Sequence, residues 1–378
     1  MTIAIVSNFM NHHQKPLADR LYEKLGDGFL WVATTPTDED RIRLGYDDLN
    51  ASLPYVACVY ADRASWDRAY RFCISCDCLI VSYEFADVVA VRMRQNKMTV
   101  YCSERVCKKG DWEMLSPYAY LSALKRFTRY RGKNFHLLSI GEHAARDFRL
   151  AGSFGKKCYR WGYFIDVPEL DETGNEKWDR DVPEVFWAAR MIDWKHPEYV
   201  PYAAKRLKEE NIPFRLEMAG DGELMEQTRS RIRAEGLEDC VRLLGPLNHE
   251  TVREKMLQAN IFCLTSNRRE GWGAVISEAL ASRCVVIASE ACGAASSLIR
   301  DGENGILFQN DSPESFYQKL RSALLRRGEA ALMADQGYET MRSLWNPDSA
   351  AERLLRWTKC LLRGENTPFD QGPCSQIP

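Results

Sequence analysis

Four charged side chains carry the clearest chemistry in this sequence: Arg190, Lys195, Glu270 and Glu278. The two carboxylates bracket Gly271-Trp272-Gly273-Ala274-Val275-Ile276-Ser277. An apolar run, Ile261-Phe262-Cys263-Leu264, precedes them and reads as a buried strand. The chain then turns through Thr265–Gly271 into a helix expected to carry Gly273 in its first turn and Glu278 in its second. A helix start offers free N–H groups and a positive dipole end, which suit a phosphate. Glu278 would lie about 12 Å beyond Glu270 at helical rise. A ligand with hydroxyls at both ends and a pyrophosphate between them matches this layout.

Arg190 and Lys195 come directly after a second apolar run, Val185-Phe186-Trp187-Ala188-Ala189. Arginine can grip two phosphate oxygens and lysine supplies a point charge, as a departing pyrophosphate requires. Ordinary surface charge is the bland alternative, and the position after a strand argues against it. Gly220-Asp221-Gly222 follows the run Arg215–Ala219 and permits a close approach of ligand to backbone. A tight turn explains the same glycines, and the two readings are compatible. Gly293, Ala294 and Ala295 form another small-residue loop after Val285–Ala288.

The elements that must position these groups alternate between strand and helix along the whole chain. In the first half the strands are Thr2–Val6, Phe29–Val32, Tyr55–Val59, Cys78–Val81 and Met98–Tyr101, with helices expected over 15–25 and 85–95. This alternation predicts an α/β protein with parallel sheets covered by helices on both faces. G-x-G-x-x-G is absent, which disfavours a nicotinamide or flavin cofactor. His12 and His13 lie in the first strand-to-helix turn, and Glu104 follows the strand Met98–Tyr101. All three occupy positions where ligands bind in such folds, ordinary surface or capping side chains being the alternative reading. The expected organisation is an N-terminal domain over 1–167, an acidic hinge over 168–184, a second domain over 185–345, and a terminal helix with a mobile polar tail over 346–378.

Length and composition limit the function classes. The chain has 378 residues, 45% apolar and 28% charged, with a net charge of −2. No global attraction to nucleic acid or to a membrane follows from that charge. Thirteen scattered cysteines, with no secretory leader, suggest reduced thiols in the cytoplasm. Cys73, Cys76 and Cys78 lack a partner pair at zinc spacing and read as small buried side chains. The stretch 116–133 combines aromatics with five positive charges and no acid. It suits either an interfacial helix on an anionic membrane, at the inner face, or a solvated helix with its aromatics in the core.

Several motifs occurring in order resemble glycosyltransferase family 4, retaining enzymes of the GT-B fold, over about residues 185–308. They are Ala189-Arg190-Met191 with Lys195, Ala219-Gly220-Asp221-Gly222, the segment 239–245, the E-x7-E pattern from Glu270 to Glu278, and Glu303-Asn304-Gly305. The resemblance implies two doubly wound Rossmann-like domains facing a cleft. It implies a retaining transferase that moves a sugar from a nucleotide-sugar, UDP being the favoured nucleotide, to a glycan or lipid-linked glycan. By the same resemblance Arg190 and Lys195 bind phosphate, and Glu270 holds the donor-sugar hydroxyls. The backbone of Gly271, Trp272 and Gly273 contacts sugar and phosphate, and Glu278 takes the ribose. The strand carrying Arg242 and Leu243 reads the base through its backbone. No metal or cofactor is called for. The N-terminal half departs from the family pattern, with His12 and His13 in place of paired glycines and Ser103-Glu104 where many members have histidine. These acceptor-side differences leave the acceptor and the first-domain contacts open; a nucleotide-sugar epimerase and a binding protein that lost the chemistry are the alternative readings.

Overall fold

The computed structural model describes residues 1–38, 48–82, 85–170 and 176–378. The chain divides into two compact units, Met1–Asp166 with Asn346–Pro378, and Val167–Trp345. The first is built on seven strands: β1 (Ile3–Ser7), β2 (Phe29–Ala33), β3 (Val56–Cys58), β4 (Cys78–Val81), β5 (Thr99–Ser103), β6 (Phe135–Ile140) and β7 (Cys158–Trp161). They pair in the order β3-β2-β1-β4-β5-β6-β7, every pair parallel. Every residue of β1, β2, β4 and β6 is buried, as expected for a parallel sheet with both faces covered. Strand order reverses between β1 and β4, so the loops after those strands diverge and leave a crevice.

The second unit repeats the scheme with β8 (Glu184–Ala188), β9 (Arg215–Ala219), β10 (Val241–Gly245), β11 (Ile261–Leu264), β12 (Val285–Ser289) and β13 (Ile306–Phe308). Their order is β10-β9-β8-β11-β12-β13, again all parallel. The reversal here falls between β8 and β11, the two strands that precede Arg190 and Glu270. A helix over Arg327–Ser343, which sequence reasoning did not separate out, lies across the sheet's β12 side through Ala330 and Ala334 in the core.

The polar C-terminal tail, expected to be mobile, is packed. Cys374 and Ser375 are fully buried. The backbone N–H of Arg160 donates to Ser375 O at 2.8 Å, Cys374 N–H to Arg160 O at 2.8 Å, and Ile377 N–H to Cys158 O at 2.9 Å. The reason is that β7 is an edge strand whose outer backbone groups need partners. Main-chain pairing of this kind leaves no mark in side-chain polarity. The described parts of the expected hinge likewise belong to the second unit. Tyr338 Oη donates to Pro168 O, and Lys177 Nζ donates to the carbonyls of Ala259 and Ser282. Residues 171–175, at the centre of that hinge reading, lie outside the described residues. The Cys73, Cys76 and Cys78 thiols are buried and pushed up in pKa by that burial. Beside them the buried Arg92 guanidinium donates to the carbonyls of Cys73, Cys76 and Met98.

Strand β6 was not legible because His136 and Ser139 interrupt its apolar run. Both find a partner within the fold. Ser139 Oγ donates to Gly141 O at 2.5 Å and accepts from Ala145 N–H at 2.9 Å. His136 Nε2 lies 2.6 Å from Asn134 Oδ1, while its buried Nδ1 has no hydrogen-bond partner among the described residues. The ring sits against Tyr159 and against Trp357 of the terminal helix Pro347–Leu362. Burial lowers the imidazole pKa to about 3, with Lys157 adding to the effect. A depressed histidine pKa stabilises the fold above the unfolded value near 6.5, and that stability is lost as pH falls below it. By pH 5 the loss is about 2 kcal/mol from this residue alone. Urea unfolding of His136→Phe should therefore show a smaller drop between pH 7 and pH 5 than the unaltered chain, by about that amount.

Candidate functional site

The loops that leave β8 and β11 are stitched together by backbone and side chain. Thr265, the first residue after β11, donates its hydroxyl to Lys195 O at 2.6 Å. It accepts from Trp187 Nε1 at 2.8 Å, where the indole is fully buried. Asn267 N–H donates to Trp194 O at 3.0 Å, Glu270 N–H donates to Asn267 O at 3.0 Å, and Asn267 Oδ1 accepts from Arg269 N–H. This lattice fixes both ends of an ion pair between Lys195 Nζ and the Glu270 carboxylate, with side chains only 12% and 11% exposed. Two residues chosen separately from sequence are thus direct partners across the switch point of the sheet.

Cations gather around the Trp194 ring beside that pair. Lys195 Nζ lies 4.3 Å from the ring centroid, and the guanidinium carbons of Arg190 and Arg269 each lie 5.8 Å away. Arg190 is exposed, and Arg269 is also held by Asp193 at 2.6 Å. The small-residue loops are explained by crowding of backbone against backbone. A Cβ on Gly220 would fall 1.9 Å from Ala189 O, and one on Gly222 would fall 2.5 Å from Met191 O. Met191 N–H donates to Asp221 O and Leu224 N–H to Met191 O, so the turn 220–222 braces the segment that carries Arg190. A Cβ on Gly293 would fall 2.0 Å from Gly271 O, and Ala294 N–H donates to Trp272 O at 2.8 Å. The loop after β12 therefore braces the residues beside Glu270.

Gly273, expected within the first turn, instead stands just before the helix Ala274–Ala281 as its N-cap with φ +87°. A Cβ there would strain the backbone and press on Leu264 and Glu270. No side chain caps this start, which leaves N–H donors for an incoming acceptor. Trp272 is buried and faces Trp345 with ring centroids 6.2 Å apart. Glu278 is buried and accepts from His249 Nε2 at 3.0 Å. The carboxylate raises the imidazole pKa against an opposing effect of burial. The raised value makes the pair stabilising below pH about 6.5, and the contribution fades as pH rises through it. His249 is a polar partner that sequence reasoning missed, since it opens a different helix, His249–Gln258.

Arg242 and Leu243 lie on β10, an edge strand. Arg242 is exposed, faces Glu217 of β9 at 4.0 Å, and lines a cavity of about 330 Å³ with amino-end residues such as Glu184 and Arg215. Its side chain is not brought to the loops that hold Lys195 and Glu270. The backbone of the same strand does turn toward them, through a bulge between Leu243 and Gly245 that lets Gly245 O accept from Gly220 N–H at 2.8 Å.

The first unit gathers the three remaining candidates. His12 and His13 have ring centroids 3.8 Å apart, and His13 stacks with Tyr163 at 6.3 Å. Tyr163 Oη donates to Glu104 at 3.0 Å. These residues follow β1, β7 and β5 respectively, all at strand carboxyl ends. Tyr163 joins the group because it lies just beyond β7, a position readable only once β7 is known to share the sheet.

Two substitutions test the lattice. Thr265→Val leaves the Trp187 indole donor buried without an acceptor, and should cost about 2 kcal/mol in urea unfolding, while Thr265→Ser restores most of it. Gly293→Ala places a methyl inside the contact radius of Gly271 O and should cost about 3 kcal/mol or more.

Residues 171–340 match the family of glycosyl transferases group 1. An exopolysaccharide phosphotransferase of Streptomyces coelicolor is 29% identical over 148 residues, covering 39% of this chain and 15% of that protein. The amylovoran biosynthesis glycosyltransferase AmsK of Erwinia amylovora is 32% identical over 153 residues, covering 39% of this chain and 36% of AmsK. The matched segments span under half the length of these relatives. The crystal structure of Anabaena Alr3699/HepE in complex with UDP superposes with a TM-score of 0.68 at 15% identity, over 94% of this chain and 98% of that one. At that identity the likeness is one of fold, and the fold is GT-B, two parallel-sheet α/β domains. The segment 171–340, which holds Arg190, Lys195, Glu270 and Glu278, thus matches the glycosyl transferases group 1 model, and the chain around it has the GT-B fold.

Proposed function

We propose that this protein is a retaining glycosyltransferase that moves a sugar from a nucleotide-sugar, UDP-linked in this reading, to a glycan or lipid-linked glycan acceptor in the cytoplasm. The observation that carries the reading is the Lys195–Glu270 pair at the switch point of the second sheet, beside a helix start without a side-chain cap. A pyrophosphate there would take Lys195 from Glu270, meet the N–H groups at Ala274, and lie within reach of Arg190. Glu270, released from Lys195, would accept from the sugar hydroxyls. Glu278, already held by His249, would accept from the ribose hydroxyls.

In this scheme the bond between the anomeric carbon and the phosphate oxygen breaks with its electron pair leaving on the oxygen. Charge building there is met by Lys195, Arg190 and the helix dipole, so the reading requires no metal ion. The acceptor hydroxyl attacks the same face, and its proton passes to the departing phosphate oxygen. His13, Tyr163 and Glu104 of the first unit are the acceptor-side groups, with His12 beside them. The match over 171–340 and the sugar-transferring relatives support the donor half of the reading.

A thermal-shift screen of nucleotides and nucleotide-sugars tests the donor, since a ligand specific to the folded state raises the unfolding midpoint by mass action. UDP or a UDP-sugar should raise it, and Lys195→Ala should abolish most of the rise. With the matching donor and acceptor, Glu270→Gln should lower turnover by about 100-fold or more while the UDP shift persists. An unchanged turnover would remove Glu270 from the reaction.

A further inference from the structure

Six of the eleven large apolar side chains exposed among the described residues lie between Val106 and Leu121. Trp112 and Leu115 are 61% and 64% exposed on the short helix Trp112–Leu115. Tyr118 and Leu121 are 87% and 54% exposed on the following helix, Pro117–Arg126. Tyr118, Leu121 and Lys125 recur at helical spacing and share one face. The opposite face, through Ala123 and then Phe127, enters the core with Phe135 and Phe148. The aromatics at the start of the basic stretch therefore point to solvent, and only its later ones reach the core.

The span that carries these apolar side chains is strongly cationic. Lys108, Lys109, Lys125, Arg126, Arg129, Arg131 and Lys133 are all exposed. The two acids in the same span are already engaged, Asp111 by Arg146 at 2.5 Å and Glu113 by the Lys109 N–H at 2.6 Å. Among the described residues, Lys125, Arg126, Arg129, Arg131 and Lys133 pair with no carboxylate. Tryptophan, tyrosine and leucine flanked by unpaired lysine and arginine are the composition of a lipid-water boundary. A protein partner would have to match a single-sign field of that size with acids of its own. The helix has ten residues, which rise about 15 Å, half of a hydrocarbon core. No helix of the described residues is long and apolar enough to cross a membrane.

We infer that residues 106–133 form a docking face for an anionic lipid bilayer, with Trp112, Leu115, Tyr118 and Leu121 set among the headgroups and the cations of the same span against lipid phosphates. The contact is peripheral and lies entirely within the first unit. It stands independently of the donor reading, which is tested on the second.

The experiment is flotation of the full chain with phosphatidylcholine vesicles, with and without phosphatidylglycerol, at low and high salt. The chain should float with the mixed vesicles, less with phosphatidylcholine alone, and less in high salt. Trp112→Ser with Tyr118→Ser and Leu121→Ser should weaken flotation by about tenfold or more, as should Lys125→Glu with Arg129→Glu. All five positions are exposed, so unfolding midpoints should hold, and a variant that unfolds is replaced by Leu121→Ser or Lys125→Glu alone. Failure of the unaltered chain to float, or flotation indifferent to both sets of changes, overturns the inference. A concentration-dependent dimer that the Ser variant dissolves, with no flotation, assigns the face to a second copy and overturns it equally.

Discussion

At Gly220 and Gly293 a carbonyl oxygen occupies the space where a side chain would begin, 1.9 Å and 2.0 Å from an ideal Cβ. No other residue type allows these backbones to approach so closely. The rest of the second unit's site depends on it. The turn after β9 presses on the segment after β8 and sets Arg190, while the loop after β12 presses on the segment after β11 and sets Gly271 beside Glu270. Parallel strands bring the four loops to one edge of the sheet, and the glycines convert that proximity into fixed geometry. The motif glycines therefore act on other protein backbone first, and any approach to a ligand rests on a loop already held.

What the braced loops hold is a charge pair with little solvent. Separating Lys195 from Glu270 without replacement would leave two charges poorly solvated, a situation that costs several kcal/mol when one partner of a buried pair is removed. Under the proposed function a ligand that satisfies both ends together therefore binds with a smaller penalty than one that meets only Lys195. A phosphate alone would engage Lys195 and leave Glu270 without a partner. A ligand that joins an anion to a hydroxyl-bearing sugar replaces both contacts at once. The pair thus favours the intact donor over its fragments through the desolvation penalty each fragment would leave. Glu278, held by His249, does not face that penalty, since its partner stays in place.

Sequence reasoning recovered the elements whose signal is local. Apolar runs followed by charged or glycine-rich loops marked β8, β9, β11 and β12, and with them Arg190, Lys195, Glu270 and Gly220. It missed what depends on non-local pairing. Thr265 and Asn267 are ordinary loop residues until β8 and β11 are known to be neighbours, and His249 is an ordinary first-turn residue until its helix is seen against Glu278. Strand β6 was hidden by His136 and Ser139, polar residues whose partners lie within the fold. The C-terminal tail was misjudged because its order comes from main-chain bonds to the edge of β7, which any composition can make. Arg242 shows the converse, a residue on a matching motif whose side chain turns to Glu217 while its strand's bulge carries the contact to Gly220.

The first unit has the same switch point, between β1 and β4, but its loop is built differently. Where Gly220 and Gly293 let backbone meet backbone, His12 and His13 put two rings, tilted at 46° to one another, in the turn after β1. Ring side chains in that loop favour recognition through side chains over a close main-chain cradle. The groups assembled are an imidazole pair, the Tyr163 phenol and the Glu104 carboxylate, each able to donate to or accept from a hydroxyl. In the proposed reading the division of labour between units follows from this difference. Backbone, dipole and fixed cations suit the anionic donor, while side-chain donors and acceptors suit an acceptor recognised by its hydroxyls.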